Sequence, residues 1–142
     1  MKYDHKKQQK LLTKQKKRYI ITPTLYDGAI AIHGWKETAS MPVGDFFAQL
    51  CEFGVKTVIC TDISKDGMMG GSNLELYRGL SGRFAVQLIA SGGAGNAGHF
   101  AQLFKQVPQV SAGLAASIFH FGELSIADLK KKLAENDIEV RI

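Results

Sequence analysis

Between Thr61 and Asp66 the run Thr-Asp-Ile-Ser-Lys-Asp places one hydroxyl and two carboxylates within reach of a single bound molecule. A carboxylate at the mouth of a strand can exchange a proton with a sugar or an amine, and a neighbouring hydroxyl can steady the charge that develops. Thr61, Asp62 and Asp66 are therefore candidate catalytic residues, with Asp62 also readable as a turn acid. A second stretch, Ser91-Gly92-Gly93-Ala94-Gly95, has no side chains at Gly92 and Gly93, so its backbone can approach an anion and aim N–H groups at it. A tight strand-to-helix turn would need the same glycines. In a third, Ala116-Ser117, an apolar run passes into Ile118-Phe119-His120-Phe121 with no polar loop. A short helix starting at Ser117 would point its first N–H groups and its positive dipole end into the same site. Ser91, Gly92, Gly93, Ala116 and Ser117 together predict a phosphate site. His120 reads as a surface or packing residue. The histidines at 5, 33, 99 and 120 show no ligand clustering and the acids lack calcium-loop spacing, so neither a metal nor another cofactor is expected.

These three stretches need elements to hold them. Residues 18–24, 29–35, 56–63, 85–91 and 112–117 read as strands. Helical spacing runs through residues 43–53, where Phe46, Leu50 and Phe53 recur at i, i+4 and i+7. Further helices are predicted over 73–80, with Asn73 as N-cap, over 97–107 with Phe100, Leu103, Phe104 and Val107 on one side, and over 125–136. Apolar strands alternating with helices imply parallel βαβ units with right-handed crossovers. An open doubly wound sheet and a (β/α)8 barrel compete for this pattern. A complete barrel takes about 250 residues, and residues 19–142 supply about four βα units, half of one. In both architectures ligands bind at the C-terminal ends of the strands, where all three stretches lie.

Composition bounds the rest. With 45% hydrophobic and 22% charged residues the chain is an ordinary globular one. Its net charge of +5 is unevenly spread: residues 1–18 carry eight Lys or Arg against Asp4, and the remainder carries ten against twelve acids. This divides the chain into a basic arm, 1–18, and a slightly acidic phosphate-binding domain, 19–142. The arm has only Tyr3 to stack on a base, so nucleic acid is not the expected partner. Cys51 and Cys60 form no CxxC pair and read as buried small hydrophobes in a reducing compartment. With no apolar stretch long enough to span a bilayer and no signal peptide, a cytoplasmic protein away from membranes is expected.

The residues then point to a family. "ASGGAG" (90–95), "HF" (99–100), "LAASIFHFGE" (114–123), "DLK" (128–130) and "IEVRI" (138–142) resemble the C-terminal half of the cyclase subunit of imidazole glycerol phosphate synthase. "HGWKET" (33–38) and "CTDISKDGMMGGSN" (60–73) are more similar to the paralogous phosphoribosylformimino-aminoimidazole carboxamide ribotide isomerase. Both are (β/α)8 barrels of histidine biosynthesis. The resemblance implies phosphate contacts at Ser91, Gly92, Gly93, Ala116 and Ser117, and catalytic or substrate-orienting roles at Thr61 and Asp66. It implies a phosphoribosyl substrate, with cyclase (lyase) chemistry preferred over the aminoaldose–aminoketose isomerisation. A glutaminase subunit is an implied partner. The family's strand-1 aspartate belongs to the other half, and its strand-5 aspartate falls on Thr24, which cannot act as a carboxylate; Asp27 lies three residues on. A phosphate-binding half-barrel without turnover of its own is therefore the competing expectation. Four barrel strands leave open edges, which predicts pairing with a second copy or with an N-terminal half-barrel.

Overall fold

A computed structural model describes residues 19–65 and 70–141. Residues 1–18, which include the basic arm, and residues 66–69, which include Asp66, lie outside the described residues. The strands are β1 (Ile20–Ile21), β2 (Thr24–Tyr26), β3 (Ala29–Ile32), β4 (Glu37–Pro42), β5 (Thr57–Asp62), β6 (Gln87–Ser91) and β7 (Ala112–Leu114). The helices are α1 (Val43–Glu52), α2 (Leu74–Ser81), α3 (Ala97–Gln106), α4 (Ser117–His120) and α5 (Ile126–Ala134).

Strands β1 and β2 are one strand interrupted. Ile20 lies opposite Thr57 and Leu25 opposite Asp62, a constant offset of 37, so the parallel register runs through Thr22-Pro23 without a slip. Pro23 has no N–H to give to the ladder, but its carbonyl still accepts the Thr61 N–H at 3.1 Å. This composite strand, β5, β6 and β7 pair in parallel in that order, with α2 and α3 crossing between successive strands. The arrangement is the four-strand arc that the sequence predicts.

The parallel expectation fails at residues 29–35. Asp27 (φ 48°) and Gly28 (φ 78°) form a two-residue hairpin turn, so β3 runs antiparallel to β2 with Tyr26 opposite Ala29. The strand ends at Ile32, because His33, Gly34 and Trp35 adopt left-handed backbone and reverse the chain into β4, a strand with too little apolar content to be read from sequence. The hairpin extends the sheet beyond β2 and leaves four parallel strands as the arc.

The helices sit where the periodicity put them. On α1 the buried pair is Phe47 and Leu50, with Phe46 half-buried at the edge of the stripe. Asn73, Asn96 and Ser125 cap α2, α3 and α5, accepting the Leu76, His99 and Asp128 N–H groups at 3.2, 3.0 and 3.0 Å. Phe47, Leu50, Tyr77, Leu80 and Leu103 pack onto Leu25, Val58, Cys60, Leu88 and Ala90 from one face of the sheet. A second cluster joins Phe100, Ile118, Leu129 and Leu133 under α4. The opposite sheet face is open: Ile20 is 60% exposed, Tyr26 54% and Leu114 41%.

Candidate functional site

Strand register brings three of the sequence stretches into one place. Thr24, Thr61, Ser91 and Leu114 are aligned across β2, β5, β6 and β7 at their C-terminal ends. Side chains alternate between faces along a strand, so Thr61 lies on the open face with Thr57 and Ile59. Val58, Cys60 and Asp62 face the helices, in agreement with the buried and half-buried alternation of β5. The neighbouring hydroxyls at 61 and 91 are thus brought together, and Thr24 stands in the same row.

Asp62 goes the other way. Its side chain is fully buried; Oδ1 accepts the Ser64 N–H at 2.9 Å and the Ser64 hydroxyl at 2.5 Å, and Oδ2 accepts the Asn73 amide at 2.6 Å. Both oxygens are therefore committed to holding the loop that leaves β5 and enters α2. The geometry matches the turn-acid reading of Asp62 and sets it apart from the open face, where a bound molecule would be met.

Beyond Ser91 two consecutive left-handed residues, Gly92 (φ 99°) and Gly93 (φ 84°), fold the backbone sharply. A Cβ on Gly92 would stand 2.7 Å from the Asp62 carbonyl oxygen, and one on Gly93 would land on the Gly71 carbonyl. The Gly71 N–H in turn donates to the Gly93 carbonyl at 2.9 Å. These glycines are required by backbone approach, and the approach zips the β5–α2 loop to the turn after β6. On the adjacent strand α4 begins at Ser117, and its first intrahelical bonds are donated by Phe119 and His120 to the Ala116 carbonyl at 3.2 and 2.9 Å. The Ser117 and Ile118 N–H groups precede those bonds in the helix. His120 is exposed and lies edge-on to Phe121.

Two contributors escape sequence reading. The Tyr77 hydroxyl, fully buried, lies 2.9 Å from the Cys60 carbonyl and 2.8 Å from the Ser91 carbonyl, and accepts the Ser91 N–H at 3.2 Å. It pins the ends of β5 and β6 together beneath the row of hydroxyls. Burial, followed by the neighbouring Cys60, pushes its ionisation upward, so it remains a neutral hydroxyl. Burial, with Asp62 second, likewise pushes the Cys60 thiol up to about 12, which leaves it an inert packing group. Removing the Tyr77 hydroxyl with Tyr77→Phe strands these backbone groups and is expected to cost about 1–3 kcal/mol, read as a lower urea midpoint at unchanged m. The second contributor is His99, whose ring nitrogen Nδ1 accepts the Gly95 N–H at 3.0 Å. Tyr77 is legible from sequence only as part of the apolar stripe Tyr77–Leu80.

Among the described residues no group of three or more His, Cys, Asp or Glu could hold a metal ion. A parallel arc of four strands that gathers Gly-rich turns and a helix start at its C-terminal edge defines part of a (β/α)8 barrel. The sequence model described as "Histidine biosynthesis protein" matches residues 6–125. The chain belongs to that family. It is 36% identical over 112 residues to imidazole glycerol phosphate synthase subunit HisF of Streptococcus mutans, covering 79% of this chain and 44% of that one. It is 39% identical over 109 residues to the subunit HisF of Staphylococcus epidermidis, covering 77% and 43%. With the subunit HisF of Methanobrevibacter smithii it shares 36% over 112 residues, covering 79% and 40%. The chain thus spans less than half the length of these curated relatives.

Proposed function

We propose that this chain supplies the phosphate-binding and proton-transferring half of an imidazole glycerol phosphate synthase cyclase acting on a phosphoribosyl carboxamide ribotide. The observation that carries the reading is the alignment of Thr61 with the buried Ser91 across β5 and β6, one residue before the Gly92-Gly93 turn, on the strand next to the one that leads into α4. Gly92, Gly93, Ala116 and Ser117 hold a phosphate through backbone N–H groups, and Ser91 and Ser117 add their hydroxyls. Thr61 orients the sugar, Asp66 moves the proton, and Asp62 keeps the loop between them in place. The names of the relatives favour the cyclase over the isomerase. Residues 19–142 form the phosphate-binding unit and residues 1–18 a basic arm outside it. No helix among the described residues is long and apolar enough to cross a membrane.

The open sheet face supports a partner. In a closed barrel the side chains of this face meet an opposite wall, and among the described residues Ile20, Tyr26 and Leu114 are exposed. A second four-strand arc, from another copy of the chain or from an N-terminal half, closes the barrel, and a glutaminase subunit then completes the synthase. Light scattering over a dilution series is expected to give at least twice the mass of the chain; the chain's own mass at every concentration would remove the paired barrel. Turnover tests the function. Formation of imidazole glycerol phosphate from the ribotide and ammonia is expected once the barrel is closed. Ketose formation from the aminoaldose would instead make the chain an isomerase. Silence with retained phosphate binding would make it a binding half alone.

A further inference from the structure

Tyr77 is placed by the start of its helix. The Asn73 amide donates to Asp62 Oδ2 at 2.6 Å, the Tyr77 N–H donates to the Asn73 carbonyl at 3.2 Å, and Tyr77 and Leu80 form the buried side of α2. One turn into α2, the hydroxyl reaches both polar backbone groups of Ser91, the carbonyl at 2.8 Å and the N–H at 3.2 Å, together with the Cys60 carbonyl at 2.9 Å. Burial keeps the phenol neutral, so it has one proton to donate to these carbonyls while it accepts the Ser91 N–H. The Ser91 carbonyl shares one planar, trans peptide unit with the Gly92 N–H, and the two point in opposite directions. The hydroxyl lies between groups of β5 and β6. The Ser91 carbonyl that meets it is thus turned toward β5, and the Gly92 N–H is turned the other way, to the side on which β7 and then Ser117 follow. The paired register of β5 and β6 ends at Thr61 and Ser91, and the next residue, Gly92, has left-handed backbone at φ 99°. A hydroxyl therefore grips the last paired residue of β6 where the chain passes into a glycine of wide conformational freedom.

We propose that Tyr77 is a positioning residue for the anion site: by holding the Ser91 carbonyl, its hydroxyl fixes the peptide plane that aims the Gly92 N–H at a bound phosphate. The proposal deepens the phosphate reading given above and rests on it for its ligand. A phenylalanine ring fills the same space but leaves that plane free to tilt, which separates positioning from packing.

The test uses the full chain, inorganic phosphate as probe, and two variants, each made with and without Gly79→Ala, a substitution into open space on α2 that offsets part of the lost stability. Tyr77→Phe is expected to lose about three- to tenfold in phosphate affinity, as for one hydrogen bond, and to move the Gly92 amide resonance of the ligand-free protein. Leu80→Ala removes buried bulk three residues along the same side of α2 and controls for destabilisation alone. Its affinity and its Gly92 resonance are expected to match the wild type. Wild-type affinity or an unmoved Gly92 amide in Tyr77→Phe overturns the proposal, as does an equal loss in Leu80→Ala. If Tyr77→Phe does not fold in either background, the wild type decides. Its Tyr77 hydroxyl proton is expected to exchange slowly and to shift with the Gly92 amide as phosphate is added; exchange as fast as at the exposed Tyr26, or no shift, overturns the proposal. If the wild type binds no phosphate, the phosphate reading falls, and Tyr77 is judged by the Gly92 amide of the ligand-free Tyr77→Phe protein: a moved resonance keeps its hold on the peptide, and an unmoved one removes it.

Discussion

Gly93→Val is expected to destabilise the protein by about 3 kcal/mol or more and to abolish phosphate binding. The new Cβ falls on the Gly71 carbonyl oxygen, within 2.9 Å of the Gly71 carbonyl carbon and 3.0 Å of the Lys65 Cβ, and the backbone at φ 84° resists any β-branched residue. Neither neighbour is the free end of a flexible side chain, so relief requires the two loops to separate, and separation dismantles the turn that presents the N–H groups. Urea unfolding and a phosphate titration measure the two effects. Gly79→Ala is the matched control: it lies within α2 with nothing within 4 Å of its added Cβ and no left-handed backbone. That variant is expected to gain about 0.5–1 kcal/mol and to bind phosphate normally. A Gly93→Val protein as stable and as avid as the wild type would displace the site.

The two aspartates of the β5 loop are expected to separate into opposite phenotypes. Asp66→Asn should lower kcat of the closed barrel about 10²–10⁴-fold with little change in KM or unfolding midpoint, the pattern of a proton-transfer group engaged in the transition state. Asp62→Asn should instead cost about 1–3 kcal/mol of stability. Its new amide group would confront either the Asn73 amide or the Ser64 donors, all of which now donate to the carboxylate. Its turnover should fall only as far as the loop loosens. Equal kcat for Asp66→Asn and wild type would leave Asp66 a structural acid, and a stable, inactive Asp62→Asn protein would reverse the assignment.

Much of this site was legible because its signals are local. Asn73 before Leu74 and Leu76 announced a cap; Ser117 after Leu114-Ala115-Ala116 announced a helix start; both stand where expected. The glycine pair was ambiguous between anion approach and a tight turn, because sequence does not reveal what crosses above a turn, here the Gly71 carbonyl. Asp62 and Thr61 are adjacent, and only the phase of strand alternation decides which faces the open side. That phase is fixed by burial of Val58 and Cys60 under the helices. The antiparallel return at residues 29–32 escapes a reading by strand and helix alternation, because it depends on the two left-handed residues Asp27 and Gly28 between the strands. The Tyr77 and His99 bonds join residues by tertiary approach and by side-chain rotamer, neither of which spacing encodes.

The uninterrupted register across Pro23 has a consequence in time. Every residue of the composite first strand must find a partner 37 positions ahead, whereas the hairpin closes between Leu25 and Ile30. Closing long loops costs entropy before contacts repay it, so local pairs form fast and distant parallel pairs late. The hairpin is therefore set before β5 arrives, and it holds residues 24–26 extended while residues 20–21 are still free. The proline, by withholding one donor, lets those two segments join the sheet separately. Assembly of the arc then ends at its first strand, the last of the four to join the sheet.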